Sequence, residues 1–245
     1  MRRVIFGAIL ACMVPAACES DGTAAAIGQV LGSIATENSG GALTQSEIEA
    51  GLRQALEIGT ERVADQIGVQ DGYWGDAAIR IPLPGRLGEA QRELKKIGLS
   101  APLDDLQLRM NRAAEDAVPV GKRIVIDAVK GITFQDAVGI LQGGDTAATD
   151  FLRGKTEISL RSIFEPYVEQ ALTDSGAYQT LDSVTSQVPM LAIAATDYKS
   201  SLTDHAVSLG LDGMFDYLAL EEKKIREDPV ARTTELLRKV FGART

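Results

Sequence analysis

Beyond Cys18 the chain has no cysteine. That excludes a disulfide framework and any thiolate metal site in the body of the protein. Histidine is almost as scarce, His205 being the only one. The Glu-x-x-His pair that a di-iron bundle carries on each of two helices therefore cannot be built. Aromatic residues make up 5% of the chain, with one tryptophan. A core drawn from Ala, Leu, Ile and Val suits closely packed helices better than sheets, which favour aromatic and β-branched side chains. Basic residues are in deficit: 25 Lys and Arg against 34 Asp and Glu give a net charge of −9. Such a surface repels phosphate backbones and anionic lipid headgroups. That argues against nucleic-acid binding, and against docking on acidic membranes by charge alone. After residue 20 no apolar run approaches the ~20 residues that a spanning helix needs.

What is present begins with an address. Met1-Arg2-Arg3 is a positive start, and Val4 to Val14 is an apolar stretch of 11 residues. The small pair Ala16-Ala17 follows. These three parts in order form a secretory signal over residues 1–17. Losing Arg2 and Arg3 with it would take the net charge from −9 to −11. Cys18 directly after Ala16-Ala17 resembles the lipobox of bacterial lipoproteins, with Pro15 where that motif usually has leucine. The polar stretch Glu19 to Thr23 reads as a tether. Lipidation of Cys18 is the preferred reading, because the cysteine would otherwise be a lone exposed thiol in an oxidising compartment. Cutting by an ordinary signal peptidase is the alternative. Glu19 does not match the aspartate that resembles an inner-membrane retention signal. The expected location is therefore the outer membrane, facing the periplasm, or else a soluble periplasmic or secreted state.

The remainder divides into a lead-in over residues 18–43 and a helical domain over 44–245. The Ala/Gly/Ser-rich lead-in ends at Gly40-Gly41. Thr44 or Ser46 caps a helix whose apolar positions are Ile48, Leu52, Ala55, Leu56, Val63 and Ile67, and Gly68 stops it. A turn around Trp74 follows. Pro82 and Pro84 force their predecessors, Ile81 and Leu83, into extended conformations, so residues 79–85 form a strap with those two as core plugs. Further helices are expected over 86–97, 104–118 (ended by Pro119), 122–129, 133–142 and 146–165 (ended or kinked by Pro166). A short one should lie near Leu181 and a long one over 203–227. Thr133 and Asp136 form a capping box, and Asp145 is read as the next N-cap. Asp228-Pro229 looks like one more helix start. The fold class is all-α: an irregular multi-helix bundle in a single domain, with a Pro-rich extended strap.

No motif in this chain carries catalysis, and no metal site or cofactor is expected. Asn111 and Glu115 are four apart and share a helix face, with Arg112 three before Glu115. They are either a polar ligand cluster or, by preference, ordinary surface pairs. Gly143-Gly144-Asp145-Thr146 presents backbone N–H groups at a helix start, where anions bind, but a capping Asp145 competes for the same donors and the phosphate-loop lysine is missing. Thr149 and Arg153 share the next face. Glu221 to Glu227 is a charge run of the kind usually solvated, with Glu222 and Arg226 paired. His205 reads as a helix-end residue.

Four blocks together resemble domain-of-unknown-function family 4197, a family of exported bacterial helical proteins. They are Arg80-Ile81-Pro82-Leu83-Pro84, Met110 to Glu115, Gly139 to Asp150, and Glu221 to Arg226 continuing to Phe241-Gly242. They occur in order over about residues 45–242. The resemblance implies export and a helical fold, and brings no catalytic residues. It suggests one buried polar network joining Arg80, Asn111, Arg112, Glu115, Asp145, Thr146, Arg153 and Glu222, either structural or lining a pocket. The leading functional expectation is a lipid-anchored envelope protein of binding or structural type. It would be held to the membrane through Cys18 and would meet a protein or small-molecule partner. The alternatives are a periplasmic carrier with an apolar interior cavity, and an enzyme in which carboxylates such as Glu115 and Asp145 converge in a cleft.

Overall fold

The computed structural model describes residues 43–187, 198–228 and 230–242. The signal, Cys18, the lead-in with Gly40-Gly41, and Pro229 lie outside them. From Leu43 on, the chain forms one compact unit. Eight helices are described and no strand: α1 (Gln45–Ile67), α2 (Gly85–Lys96), α3 (Ala101–Lys130), α4 (Phe134–Gln142), α5 (Ala147–Asp174), α6 (Ala177–Gln187), α7 (Tyr198–Glu227) and α8 (Glu235–Gly242).

Local chemistry starts the elements where their residues demand it. The Thr44 hydroxyl accepts from the Glu47 amide at 3.2 Å, and the Glu47 carboxylate accepts from the Thr44 amide at 2.8 Å. This reciprocal box satisfies two donors that a helix start leaves orphaned. Thr133 and Asp136 repeat it at α4. Every apolar position expected on α1 is buried, as are Leu106, Met110, Ala113, Ala114 and Ala117 on α3. The long helices α1, α3, α5 and α7 pack together around these stripes. α8 lies against α1, and α6 against α3 and α5.

Pro119 does not end a helix as expected, and of the two outcomes open at Pro166, an end or a kink, the end does not occur. Pro119 lies inside α3 and Pro166 inside α5, and neither ends its helix. A proline in a helix interior costs about 3 kcal/mol. Both rings face solvent. The residues beside them, Ala117 and Val118 in one case and Phe164 and Val168 in the other, are buried. Packing on both sides of the lost hydrogen bond carries each helix through. Residues 122–129 are accordingly the second half of α3 rather than a helix of their own.

Asp228-Pro229 does not start α8. The Asp228 carboxylate accepts from the Val230 amide at 2.8 Å, which makes a turn, and α8 begins only at Glu235. Arg232, 3% exposed, bends back to donate to the Ile225 and Arg226 carbonyls at the end of α7. Those carbonyls have no partner within their own helix. Satisfying them holds residues 230–234 outside any helix, and the Thr234 hydroxyl caps the new helix through the Leu237 amide at 3.2 Å.

The strap is extended between the turn at residues 71–79 and α2, with Ile81 fully buried and Leu83 5% exposed. Pro84 holds an extended N-cap (ψ 146°), and Gly85 takes φ +45°, a left-handed entry into α2 that glycine adopts without steric cost.

Candidate functional site

Two prolines take two backbone donors from the strap, and in an extended segment the remaining polar groups need outside partners. Asn111, fully buried on α3, supplies them. Its amide oxygen accepts from the Ile81 N–H at 2.9 Å, and its amide nitrogen donates to the Ile81 carbonyl at 2.9 Å. Gln107, one turn earlier, donates to the same carbonyl at 3.1 Å. His205 does not sit at a helix end. It lies within α7, its Nε2 2.9 Å from the Pro82 carbonyl.

Glu115, one turn beyond Asn111, is 3% exposed. One of its oxygens accepts from the successive amides of Tyr73 and Trp74, both at 3.0 Å. The other accepts from Arg112 at 2.7 Å, and Arg112 also reaches Asp71 at 2.6 Å. Asp71 is the one non-glycine among the described residues with positive φ, +67°. Arg80 closes the group: its guanidinium lies 5.1 Å over the Trp74 ring and donates to the Trp74 carbonyl. The Arg112–Glu115 hydrogen bond holds the Arg112 guanidinium further toward its charged form. Burial, then the field of Glu115, pushes the Tyr73 phenol far above its ordinary range. That phenol donates to the Gly210 carbonyl of α7 at 2.6 Å. Asn111 and Glu115 are thus interior groups and not the surface pairs that helical spacing suggested. Helical spacing fixes which face two residues share and says nothing of what covers that face.

Glu222 forms a second centre. It is 6% exposed, and its oxygens accept from the Ala148 amide (2.9 Å), the Thr149 amide (2.8 Å) and the Thr149 hydroxyl (2.9 Å). Arg226 grips the same carboxylate at 2.7 Å and donates to the Ile140 carbonyl of α4. The charge run is therefore not a solvated face at this point: Glu221, Glu222 and Ile225 are buried. Glu222 also displaces Asp145 from its expected role. Asp145 is exposed, and Thr146 holds the N-cap position without a side-chain cap, its hydroxyl 3.1 Å from Asp150. The donors that could have bound an anion at this helix start are taken by a carboxylate from α7.

The structure brings Arg80, Asn111, Arg112 and Glu115 together and sets Glu222 with Thr149 and Arg226. Arg153 lies in neither group. It pairs with Asp212 at 2.9 Å and stacks over Phe215, 4.6 Å from the ring centre. Asp145 and Thr146 meet none of the others. Sequence patterns had not marked Tyr73, Gln107 and His205 as members of these centres; Arg226 had been paired with Glu222, four residues before it, but on a solvated face.

The two centres share a design. In each a buried glutamate binds two successive backbone amides of a distant segment and is neutralised by an arginine three or four residues away on its own helix. In both centres each carboxylate oxygen accepts at least one hydrogen bond from the chain itself, so both glutamates tie distant segments to their own helices. Among the described residues no three His, Cys, Asp or Glu side chains are placed to hold a metal ion. No described helix is long and apolar enough to cross a membrane.

No curated protein matches the chain, and no solved structure matches it. A family model described as a protein of unknown function (DUF4197) matches residues 42–242, a span that holds all four sequence blocks and both glutamate centres. The chain belongs to that family.

Proposed function

We propose that this protein is an exported, lipid-anchored domain of the bacterial envelope that acts by binding or by holding structure rather than by catalysis. The observation that supports this most directly is the internal saturation of Glu115 and Glu222 by the chain's own amides and arginines. An acid/base enzyme built on Glu115 and Asp145 needs the two to converge. Glu115 is buried against the turn at Tyr73, whereas Asp145 is exposed at the start of α5. The carrier reading needs room inside. Two partly open apolar pockets among the described helices, one beside Leu52 and Phe241 and one beside Val63 and Met214, are each about 10 Å³, space for roughly one water. Export and anchoring are supported by the signal pattern and by Cys18 behind Ala16-Ala17.

The test is metabolic labelling with a palmitate analogue in an export-competent bacterial host. Label in the full chain that disappears in Cys18→Ser is the expected result. An unlabelled wild-type chain would overturn the anchor. A native mass spectrum of the Cys18→Ser variant tests the other half of the reading. A reproducible bound metabolite would shift the function from partner binding to small-ligand carriage.

A further inference from the structure

The end of α2 combines features found together nowhere else among the described residues. Lys95 to Leu99 are five consecutive exposed residues, which makes this corner a protrusion. Two of them are large and apolar, Ile97 at 68% and Leu99 at 62% exposure. The corner has a fixed shape. The Leu99 amide donates to the Leu94 carbonyl at 2.9 Å and the Gly98 amide to the Lys95 carbonyl at 3.3 Å, with Gly98 at φ +74°. This is the Schellman arrangement, in which an apolar contact between residues such as Leu94 and Leu99 is usual. It explains why residue 99 is apolar, but not why Ile97 is. Leu94, Leu99, Pro102, Leu103 and Val184 continue the apolar surface into a half-open groove of about 390 Å³.

The charge at this corner opposes that of the chain. The last turns of α2 carry Arg92, Lys95 and Lys96 against Glu93, with Asp104 of α3 held beside them by Gln91 and Ser100, in a protein of net charge −9. Lys96 pairs with Glu93 at 2.7 Å; Arg92 and Lys95 pair with no described residue. Unpaired cations beside protruding apolar side chains fit a surface that is anionic at its edge and apolar just beneath. A protruding corner gives a folded protein partner little area to cover, whereas a bilayer needs no matching shape.

We propose that this corner is a membrane-contact element. Ile97 and Leu99 enter the interface of an anionic phospholipid bilayer, while Arg92, Lys95 and Lys96 meet its phosphates. The proposal is independent of Cys18. It is therefore tested on residues 43–245, the compact unit without the anchor, by flotation with vesicles of phosphatidylethanolamine and phosphatidylglycerol. The wild-type unit should float with the vesicles, less so in high salt. Ile97→Ser with Leu99→Ser should lower the bound fraction about tenfold at unchanged helical circular dichroism. Lys95→Glu with Lys96→Glu should lower it and remove the salt dependence. A wild-type unit that stays in solution overturns the proposal, as does flotation that neither pair alters or that does not depend on phosphatidylglycerol. Capture of an acidic envelope protein through Ile97 and Leu99 without vesicle binding would overturn it in favour of a protein interface. None of these outcomes bears on lipidation at Cys18.

Discussion

Glu222 caps a helix to which it does not belong: its carboxylate sits 2.8 Å from the Thr149 amide and 2.9 Å from the Thr149 hydroxyl, holding the start of α5 from a position on α7. A cap supplied from within a helix holds that helix alone. This one ties the start of α5 to α7, and through Arg226 to the Ile140 carbonyl of α4.

Removing that carboxylate should therefore unfold more than a turn. Glu222→Ala leaves Arg226 buried without its partner and strips two amides of their acceptor, a loss expected at about 3–5 kcal/mol. Thr149→Val should cost about 1 kcal/mol. The double variant Glu222→Gln with Arg226→Met should lose less than the sum of its single changes, since neither charge is then stranded. Urea unfolding followed by circular dichroism measures all of these. Additive losses would show that the pair is not coupled.

The strap depends on Asn111. Asn111→Ala leaves the N–H of buried Ile81 without an acceptor and its carbonyl with Gln107 alone, a cost of about 2–3 kcal/mol. The loosened strap should also become open to trypsin after Arg80. Cleavage rates under native conditions, compared with those of Gln107→Ala, report this. Gln107 shares only the Ile81 carbonyl, so its loss should have the smaller effect.

Glu47 predicts a pH dependence. Its hydrogen bond with Lys239, then those with Thr44, lower its pKa from 4.5 to about 2. A carboxylate with a depressed folded-state pKa favours folding above its unfolded value and loses that contribution as pH falls through the folded one. The stability difference between wild type and Lys239→Met should therefore be constant above about pH 4.5 and shrink toward pH 2. Urea midpoints measured across that range check it. A difference that grows on acidification would contradict the assignment.

Two glycines on helices should answer in opposite directions. At Gly121 an added Cβ would lie 2.7 Å from Phe164 Cζ and 3.2 Å from Met214 Sδ, where α3, α5 and α7 meet. Overpacking of this kind costs about 1–3 kcal/mol and should outweigh the helix-propensity gain of Gly121→Ala. At Gly139 nothing lies within 4 Å of that position, so Gly139→Ala should stabilise by about 0.5–1 kcal/mol. Melting temperatures of the two variants decide the signs.

The elements that could be read in advance are those governed by neighbours in sequence. The cap at Thr44, one of two candidates beside Ser46, and the box at Thr133 need only residues a turn apart. The α1 stripe needs only helical spacing, and the strap needs only the restriction that Pro82 and Pro84 place on Ile81 and Leu83. Pro119 misled because the local penalty on a helix is finite, and packing exceeds it.

What the sequence determined by itself was the helical class, most helix starts and which residues share a face. These follow from short-range sterics and backbone hydrogen bonding. Which shared faces are buried, and whose donors they meet, came from the packing of the helices. It put Asn111 on the strap, Glu115 on the turn at Tyr73, and Glu222 rather than Asp145 at the start of α5. The Ala148 amide and the Glu222 carboxylate lie 74 residues apart. No periodicity or local propensity reaches that far, so their pairing exists only once the helices have packed.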